Sequence, residues 1–416
     1  MTKHSPYRRP IVLALMSVIC LGLLGLLLLW TAAPIKSEEM LFGLWRLRHV
    51  LMAGILFVTA IGFLCAARGR DAFLGFLAAM VPIVGLGVLL EVSGRVGLVD
   101  WAGLLGKDQR PAETIGWTLQ PGIEVRGETG QDTATLLRIP HDPIPFTYAT
   151  DVYGFRNGSE PEGKIVILGD SIVLGAAVPT EQTVSELTEE ALSRPVMQAA
   201  LLGLSIQAEH EMLLGSGLAL DGKTVVQFLF EGNDLLDSRA FREASGPVDN
   251  SGGRMSLARI GWEGAVRASN PPAPYRTCDI DGQVFAFLWT RQSFDGVEGE
   301  LSHIEQSILE FRTRLEAVGA RYALVLVPSK YRVLHRLCTF PPESLIADPA
   351  LNLSDLPEQL AAWSRENEID LLDLTGPLID KARSGVSPWF WGDTHWNATG
   401  HAVAASALAE WLSENL

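Results

Sequence analysis

Residues 164–171 read Lys-Ile-Val-Ile-Leu-Gly-Asp-Ser. Four consecutive apolar residues, three of them β-branched, lie between Lys164 and the turn pair Gly169-Asp170. That is the length and composition of a strand buried on both faces. A serine that follows such a strand and precedes a helix stands at the carboxyl edge of a sheet, where a helix N-terminus stabilises negative charge. Taken alone, Ser171 in that turn is an ordinary cap. The segments downstream decide how the stretch is understood. TVSELTEEAL (183–192) has helical spacing and a Thr183…Glu186 capping box. VMQAAL (196–201) is a strand, 206–219 a helix, and TVVQFLF (224–230) a strand. A helix at 301–318, the strand YALVLVP (322–328), a helix at 356–367, IDLLDL (369–374) and a last helix from about 398 continue the series. Strands alternating with helices predict an α/β domain over 161–416, a parallel sheet with helices on both faces in three layers. Such sheets bind ligands at the carboxyl ends of their strands. The stretch 236–297, rich in Gly, Pro, Asn and Ser, reads as an irregular insertion.

Upstream, the character of the chain changes. Residues 11–30 are an unbroken apolar run, and further runs cover about 50–67 and 72–91, the last containing Pro82. Each approaches the roughly 20 residues that a helix needs to cross a bilayer. The first run exceeds the ~7–15 residues of a signal-peptide core and is followed by two more, so residues 1–92 are expected to be a retained anchor of three transmembrane helices. Lys3, Arg8 and Arg9 precede the first run, and Arg68 and Arg70 lie between the second and third. The positive-inside rule puts both clusters in the cytoplasm, although Arg46 and Arg48 oppose this. Three spans then leave the remainder outside the cytoplasm, on the periplasmic or extracellular side of an inner membrane. Residues 93–160 form a small β-rich lead-in, with strand-like pieces at TLLRI (135–139) and FTYAT (146–150).

Three further features close strands of the α/β domain. Gly232-Asn233-Asp234 follows TVVQFLF, and an asparagine there can aim its amide at a developing oxyanion. Gly203 follows VMQAAL, where the lack of a side chain lets backbone approach a ligand. Before the last helix stands Trp391-Gly392-Asp393-Thr394-His395-Trp396-Asn397. A serine nucleophile needs a base in reach, and that base needs an orienting acceptor. An Asp two residues before a His supplies both within one turn.

In order, Gly169-Asp170-Ser171, Gly203, Gly232-Asn233-Asp234 and Asp393/His395 resemble the four blocks of the SGNH (GDSL-like) hydrolase superfamily, and the resemblance covers about 160–416. It implies Ser171 as nucleophile, His395 as general base and Asp393 as its orienting acid. The implied oxyanion hole is the Ser171 and Gly203 N–H groups with the Asn233 amide. Tyr153-Gly154-Phe155-Arg156-Asn157 resembles the lead-in of many exported members. Most members carry the acid three residues before the His, where this chain has Gly392. Asp-x-His-Trp, with Val327-Pro328-Ser329-Lys330, is similar instead to the branch containing alginate O-acetyltransferases. The implied activity is therefore a serine esterase acting on O-acetyl or related esters, with O-acetyl transfer to an exported or envelope glycan as the alternative. A non-catalytic glycan-binding or scaffold subunit is the remaining reading. Asp170, Lys330, Trp391 and Trp396 are further candidates to line the substrate site, while His401 is expected to be structural.

The implied partners are an acylated carbohydrate or small ester, the lipid bilayer, and components of an envelope-glycan assembly. A net charge of −15 lacks the basic footprint of a nucleic-acid binder. There is no HExxH or CxxC pairing, so no metal and no cofactor is expected. Residues 217–224, GLALDGKT, match P-loop spacing, but they end a helix and lead into a strand, the reverse of the order a P-loop requires. Cys20 and Cys65 fall in apolar runs. Cys278 and Cys338 lie in the outer part, where a disulfide would persist, and their pairing stays open.

Overall fold

The computed structural model describes residues 8–31, 40–41, 45–95, 114–115, 118–129, 131–137, 139–157, 163–245, 276–291, 299–342 and 344–415. Contacts divide the chain into two units, one holding the N-terminal helices and the other the α/β domain with its lead-in.

The strands of the N-terminal unit are β1 (Met40–Leu41) and β2 (Trp45–Arg46), an antiparallel pair. In the second unit come β3 (Thr114–Ile115), β4 (Thr118–Leu119), β5 (Glu124–Thr129), β6 (Ile144–Ala149), β7 (Ile165–Gly169), β8 (Val196–Ala200), β9 (Thr224–Phe230), β10 (Thr277–Ile280), β11 (Gln283–Ala286), β12 (Arg321–Val327) and β13 (Leu371–Asp373). Five of them form one parallel sheet in the order β13-β12-β9-β7-β8. Every residue of β7 and β8 is buried, as are six of the seven in β9 and in β12. This is why these strands read as continuous apolar runs rather than alternating ones.

The helices fall into two groups that pack among themselves. Ile206–Gly215, Asp234–Ser245 and Glu300–Ala317 form one; Val184–Leu192, Thr375–Arg383 and Ala398–Asn415 form the other. From β7 the chain moves to one neighbour, β8, then returns to the opposite side of β7 as β9. The carboxyl ends of β7 and β9 therefore flank the point where strand order reverses, the place such sheets leave a crevice. Ser171 follows β7 and Asn233 follows β9.

Several local expectations need correction. Thr183 caps Val184–Leu192 without a capping box: its Oγ1 donates to Thr180 O at 2.8 Å, because a 3₁₀ turn at Thr180–Gln182 presents that carbonyl first. The helix expected at 206–219 ends at Gly215. The segment at 236–297 is not wholly irregular, since it holds the end of the helix Asp234–Ser245 and the hairpin β10–β11; 246–275 and 292–298 lie outside the described residues. TLLRI is not a strand. Residues Asp132–Leu137 are a helix burying Thr133, Ala134 and Leu137, a case where a short apolar run carries too few residues to fix its period.

The lead-in contributes two antiparallel pairs, β3–β4 and β5–β6. It grips the main sheet through Arg156 and Asn157. Asn157 Oδ1 accepts from Gln198 N–H at 2.7 Å and its Nδ2 donates to Gln198 O at 3.0 Å, so its amide pairs with β8 as another strand would. Arg156 is buried and donates to Leu174 O (2.9 Å), Gly175 O (2.7 Å) and Val178 O (2.7 Å). The helix Ser171–Leu174 thus ends on an arginine supplied by the lead-in. Cys278 and Cys338 form a disulfide with Cα atoms 5.4 Å apart, joining β10–β11 to the segment after Lys330–Leu334.

In the N-terminal unit, helices span Arg8–Thr31, Leu47–Arg68 and Arg70–Arg95. Pro10–Leu28 and Arg70–Ser93 are long and apolar enough to cross a membrane. The apolar part of the middle helix, Met52–Arg68, is shorter than that measure. Ser17 Oγ donates to Ala60 O at 2.8 Å, a buried bond between the first two helices.

Candidate active site

Ser171 opens a helix of only four residues, Ser171–Leu174, so the helix-end stabilisation expected there amounts to a single turn. Asp170 caps it, accepting from Ile172 N–H at 2.8 Å. Ser171 Oγ lies 2.8 Å from His395 Nε2. His395 Nδ1 lies 2.5 Å from Asp393 Oδ1, which also accepts from the His395 backbone N–H at 2.9 Å. The three residues form one relay, with Asp393 completely buried and His395 partly open. A neutral imidazole donating from Nδ1 leaves its Nε2 lone pair facing the serine, the tautomer a general base requires.

Burial pushes the Asp393 carboxyl up, but the His395 charge and hydrogen bonds outweigh it and hold the group below the ordinary carboxylate range. Burial likewise opposes the His395 imidazolium; Asp393, with Asp132 and Asp170 beyond it, outweighs that and raises the imidazole to about 9. Asp170 is buried, which raises its carboxyl. It lies 3.4 Å from Ser171 Oγ and accepts from Asn233 Nδ2 at 3.5 Å.

Asn233 also donates to Asp237, one helical turn on. Gly203 lies in the turn after β8 with φ +68°, a conformation that disfavours any side chain. Trp391 packs partly buried against the core, whereas Trp396 is 1% exposed and bridges to Trp389. Lys330 is buried beneath the turn. Its ammonium donates to Phe390 O (2.7 Å), Trp391 O (2.7 Å) and Asp393 O (3.1 Å) and lies over the Phe285 and Phe287 rings. Its contacts support the turn carrying Asp393 rather than open solvent. Burial lowers it to about 7, against the pull of Asp393 and Asp132. His401 is buried, accepts from Val184 N–H at 3.2 Å, and is lowered to about 3 by burial, then by Arg156 and His395.

Among the described residues, Asp132, Asp393 and His395 bring donor atoms within 4.8 Å of one another, the composition of a cation site. Here Nδ1 faces Asp393 and Nε2 faces Ser171, so both ring nitrogens are engaged in the relay. Asp132 was not legible in the sequence. It lies 261 residues from Asp393, and nothing local marks it beyond an acidic residue opening a short helix.

Comparison with known proteins bears on this arrangement. Residues 287–416 match the family model described as "SGNH hydrolase-like domain, acetyltransferase AlgX". The match covers less than half of the chain; it includes Lys330, Asp393 and His395 and stops short of Ser171 and Asn233. No curated protein matches the chain. Among solved structures it is similar to an acetyl xylan esterase, at 13% identity over 59% of this chain and 98% of that one, with a TM-score of 0.35. It is also similar to a GDSL-like lipase from Bacteroides thetaiotaomicron VPI-5482, at 12% identity over 61% and 88%, with a TM-score of 0.30.

Proposed function

We propose that this chain is a membrane-anchored serine esterase with a three-layer SGNH hydrolase domain, cleaving O-acetyl or related esters of a carbohydrate or small molecule outside the cytoplasm. The observation that carries the reading is the continuous relay from Ser171 Oγ through His395 to Asp393, at 2.8 Å and 2.5 Å. In this mechanism Ser171 Oγ attacks the ester carbonyl while His395 Nε2 takes its proton. The Asn233 amide with the Ser171 and Gly203 N–H groups receives the oxyanion. The imidazolium returns its proton to the leaving alkoxide as the C–O bond breaks, giving an acyl-enzyme. Water, deprotonated by His395, then releases the acid.

O-acetyl transfer is the second reading, favoured by the acetyltransferase description of the matching family model. A sugar hydroxyl then replaces water as acceptor. The relay supports either reaction over a purely scaffolding role, since every group a nucleophile needs is present and in register. The three N-terminal helices would anchor the chain as three spans of the inner membrane, the N-terminus in the cytoplasm and the enzyme outside. Envelope-glycan assembly components are the partners this placement suggests.

The test uses the full chain in detergent, treated with a fluorophosphonate probe and with 4-nitrophenyl acetate, beside Ser171→Ala. Labelling and acetate release that vanish in the variant are expected. A folded wild-type chain showing neither would overturn the esterase reading. Acetate appearing on an added glycan rather than as free acid would select the transferase.

A further inference from the structure

The turn that carries Asp393 and His395 is held by a segment far from it in sequence. Ala134 N–H, in the lead-in helix Asp132–Leu137, donates to Gly392 O at 2.8 Å. Asp132 N–H donates to Asp393 Oδ2 at 3.3 Å, on the carboxylate edge that His395 leaves open. The Asp132 carboxylate accepts in return from Thr394 N–H at 2.9 Å and from the Thr394 hydroxyl, and on its own helix from Thr133 N–H and Oγ1. The lead-in helix sits so close that a Cβ at position 392 would meet Ala134 Cβ and Gln131 Oε1 at 2.8 Å. A side chain at 392 would have to displace Ala134 or Gln131 while the helix is seated. Carboxylate oxygens of Asp132 and Asp393 and a ring nitrogen of His395 all lie within 4.8 Å.

We propose that Asp132 is a positioning residue of this active site: it fixes the Asp393–His395 turn through Thr394 and places a second carboxylate beside the imidazole. The inference rests on the acyl-transfer reading of the Ser171–His395–Asp393 relay. Several other groups face His395. The carboxyls of Asp393 and Asp170 act in the same direction as Asp132. The Lys330 ammonium below the turn favours the charged form of Asp393. His401 is kept neutral by burial. A carboxylate this near an imidazolium stabilises it by an amount that moves a midpoint by about one to three pH units.

Asp132→Asn keeps an acceptor for the Thr394 N–H and removes the charge. Thr394→Val keeps the charge and removes one tether. The measurement is an NMR titration of the full chain in detergent, with histidine labelled at Cε1 and the His395 signal assigned by its loss in His395→Gln. Asp132→Asn should lower the His395 midpoint by about one pH unit or more, and Thr394→Val should leave it near the wild-type value. Fluorophosphonate labelling of Ser171 in Asp132→Asn should gain its rate at correspondingly lower pH. An unchanged midpoint in Asp132→Asn, or an equal fall in Thr394→Val, overturns the assignment. A His395 midpoint that falls in Asp132→Asn as stated, in a protein whose wild-type Ser171 is never labelled, would sink the acyl-transfer reading and uphold the electrostatic coupling.

Discussion

The Asn233 amide donates to Asp237 and Asp170, two carboxyls that burial raises, the first to about 6. One Asn233 N–H is committed to Asp237 and orients the amide before a substrate arrives; the other, only weakly held at 3.5 Å from Asp170, is the one a developing oxyanion would take over. Asn233→Ala should therefore lower kcat by about 10²–10³ while leaving KM within a few-fold, because the lost bond belongs to the tetrahedral state; a change confined to KM in ester-hydrolysis kinetics would argue against this role. As the proposed general base, His395 would set the pH dependence. Only the neutral imidazole accepts the serine proton, and its folded value is raised from about 6.5 towards about 9. Activity should therefore climb as pH rises through that interval, and a kcat/KM profile with its acid limb at or below 6.5 would contradict it. The same shift has the opposite sign for folding: stability from the protonated pair is complete below 6.5 and is lost as pH rises through the folded value. Ser171, Asn233, Asp393 and His395 were legible because each stands at a strand end or before a helix, where local pattern fixes its place. Asp132 and the three carbonyl contacts of Lys330 were not, since they exist only once segments far apart in sequence have met.

Among the elements, the one-turn helix that Ser171 opens has few hydrogen bonds of its own. It has four residues, and of the carbonyls Arg156 meets, Leu174 O also accepts from Gln198 Nε2 at 3.4 Å and Gly175 O from Val178 N–H at 3.0 Å, which leaves Val178 O most dependent on the arginine. The guanidinium, lowered to about 10 by burial, remains charged at neutral pH and lies over the Tyr148 ring. Arg156→Met should cost about 1–3 kcal/mol, chiefly the penalty for leaving a buried acceptor unpaired, read as a lower denaturation midpoint. The loss should reach Ser171 labelling as well, because the bonds fall at the end of its helix; full stability in the variant would show that water or backbone replaces the arginine. The strands buried on both faces, β7, β9 and β12, and the long helix Glu300–Ala317 followed from sequence within a residue or two. The misread ones include the end of Ile206–Gly215 and TLLRI, whose first three residues belong to the helix Asp132–Leu137, where Asp132 and Ala134 find partners on the distant 392–394 turn. No local propensity encodes that choice.

For the molecule as a whole, the number of membrane crossings decides which compartment holds the site. The apolar part of the middle helix, Met52–Arg68, has a length of about 25 Å at 1.5 Å per residue, slightly less than a bilayer core of ~30 Å. Local thinning of the bilayer accommodates such a shortfall at a cost of fractions of a kcal/mol per Å. The buried Ser17–Ala60 bond also ties this helix to a neighbour long enough to cross. With three crossings and a cytoplasmic N-terminus, the α/β unit lies outside; with two, it returns to the cytoplasm. The disulfide distinguishes these cases. Cys278 and Cys338 close a loop of 60 residues, worth about 4 kcal/mol in chain entropy, but only where the compartment is oxidising. Cys20 and Cys65, on the helices, are free thiols. Chain isolated from its native membrane under thiol-blocking conditions and then denatured should therefore react through two of its four cysteines before reduction, and all four after it. Four reactive cysteines from the outset would place the α/β unit in a reducing compartment, remove the third crossing, and turn the search for its ester from the envelope to the cytoplasm.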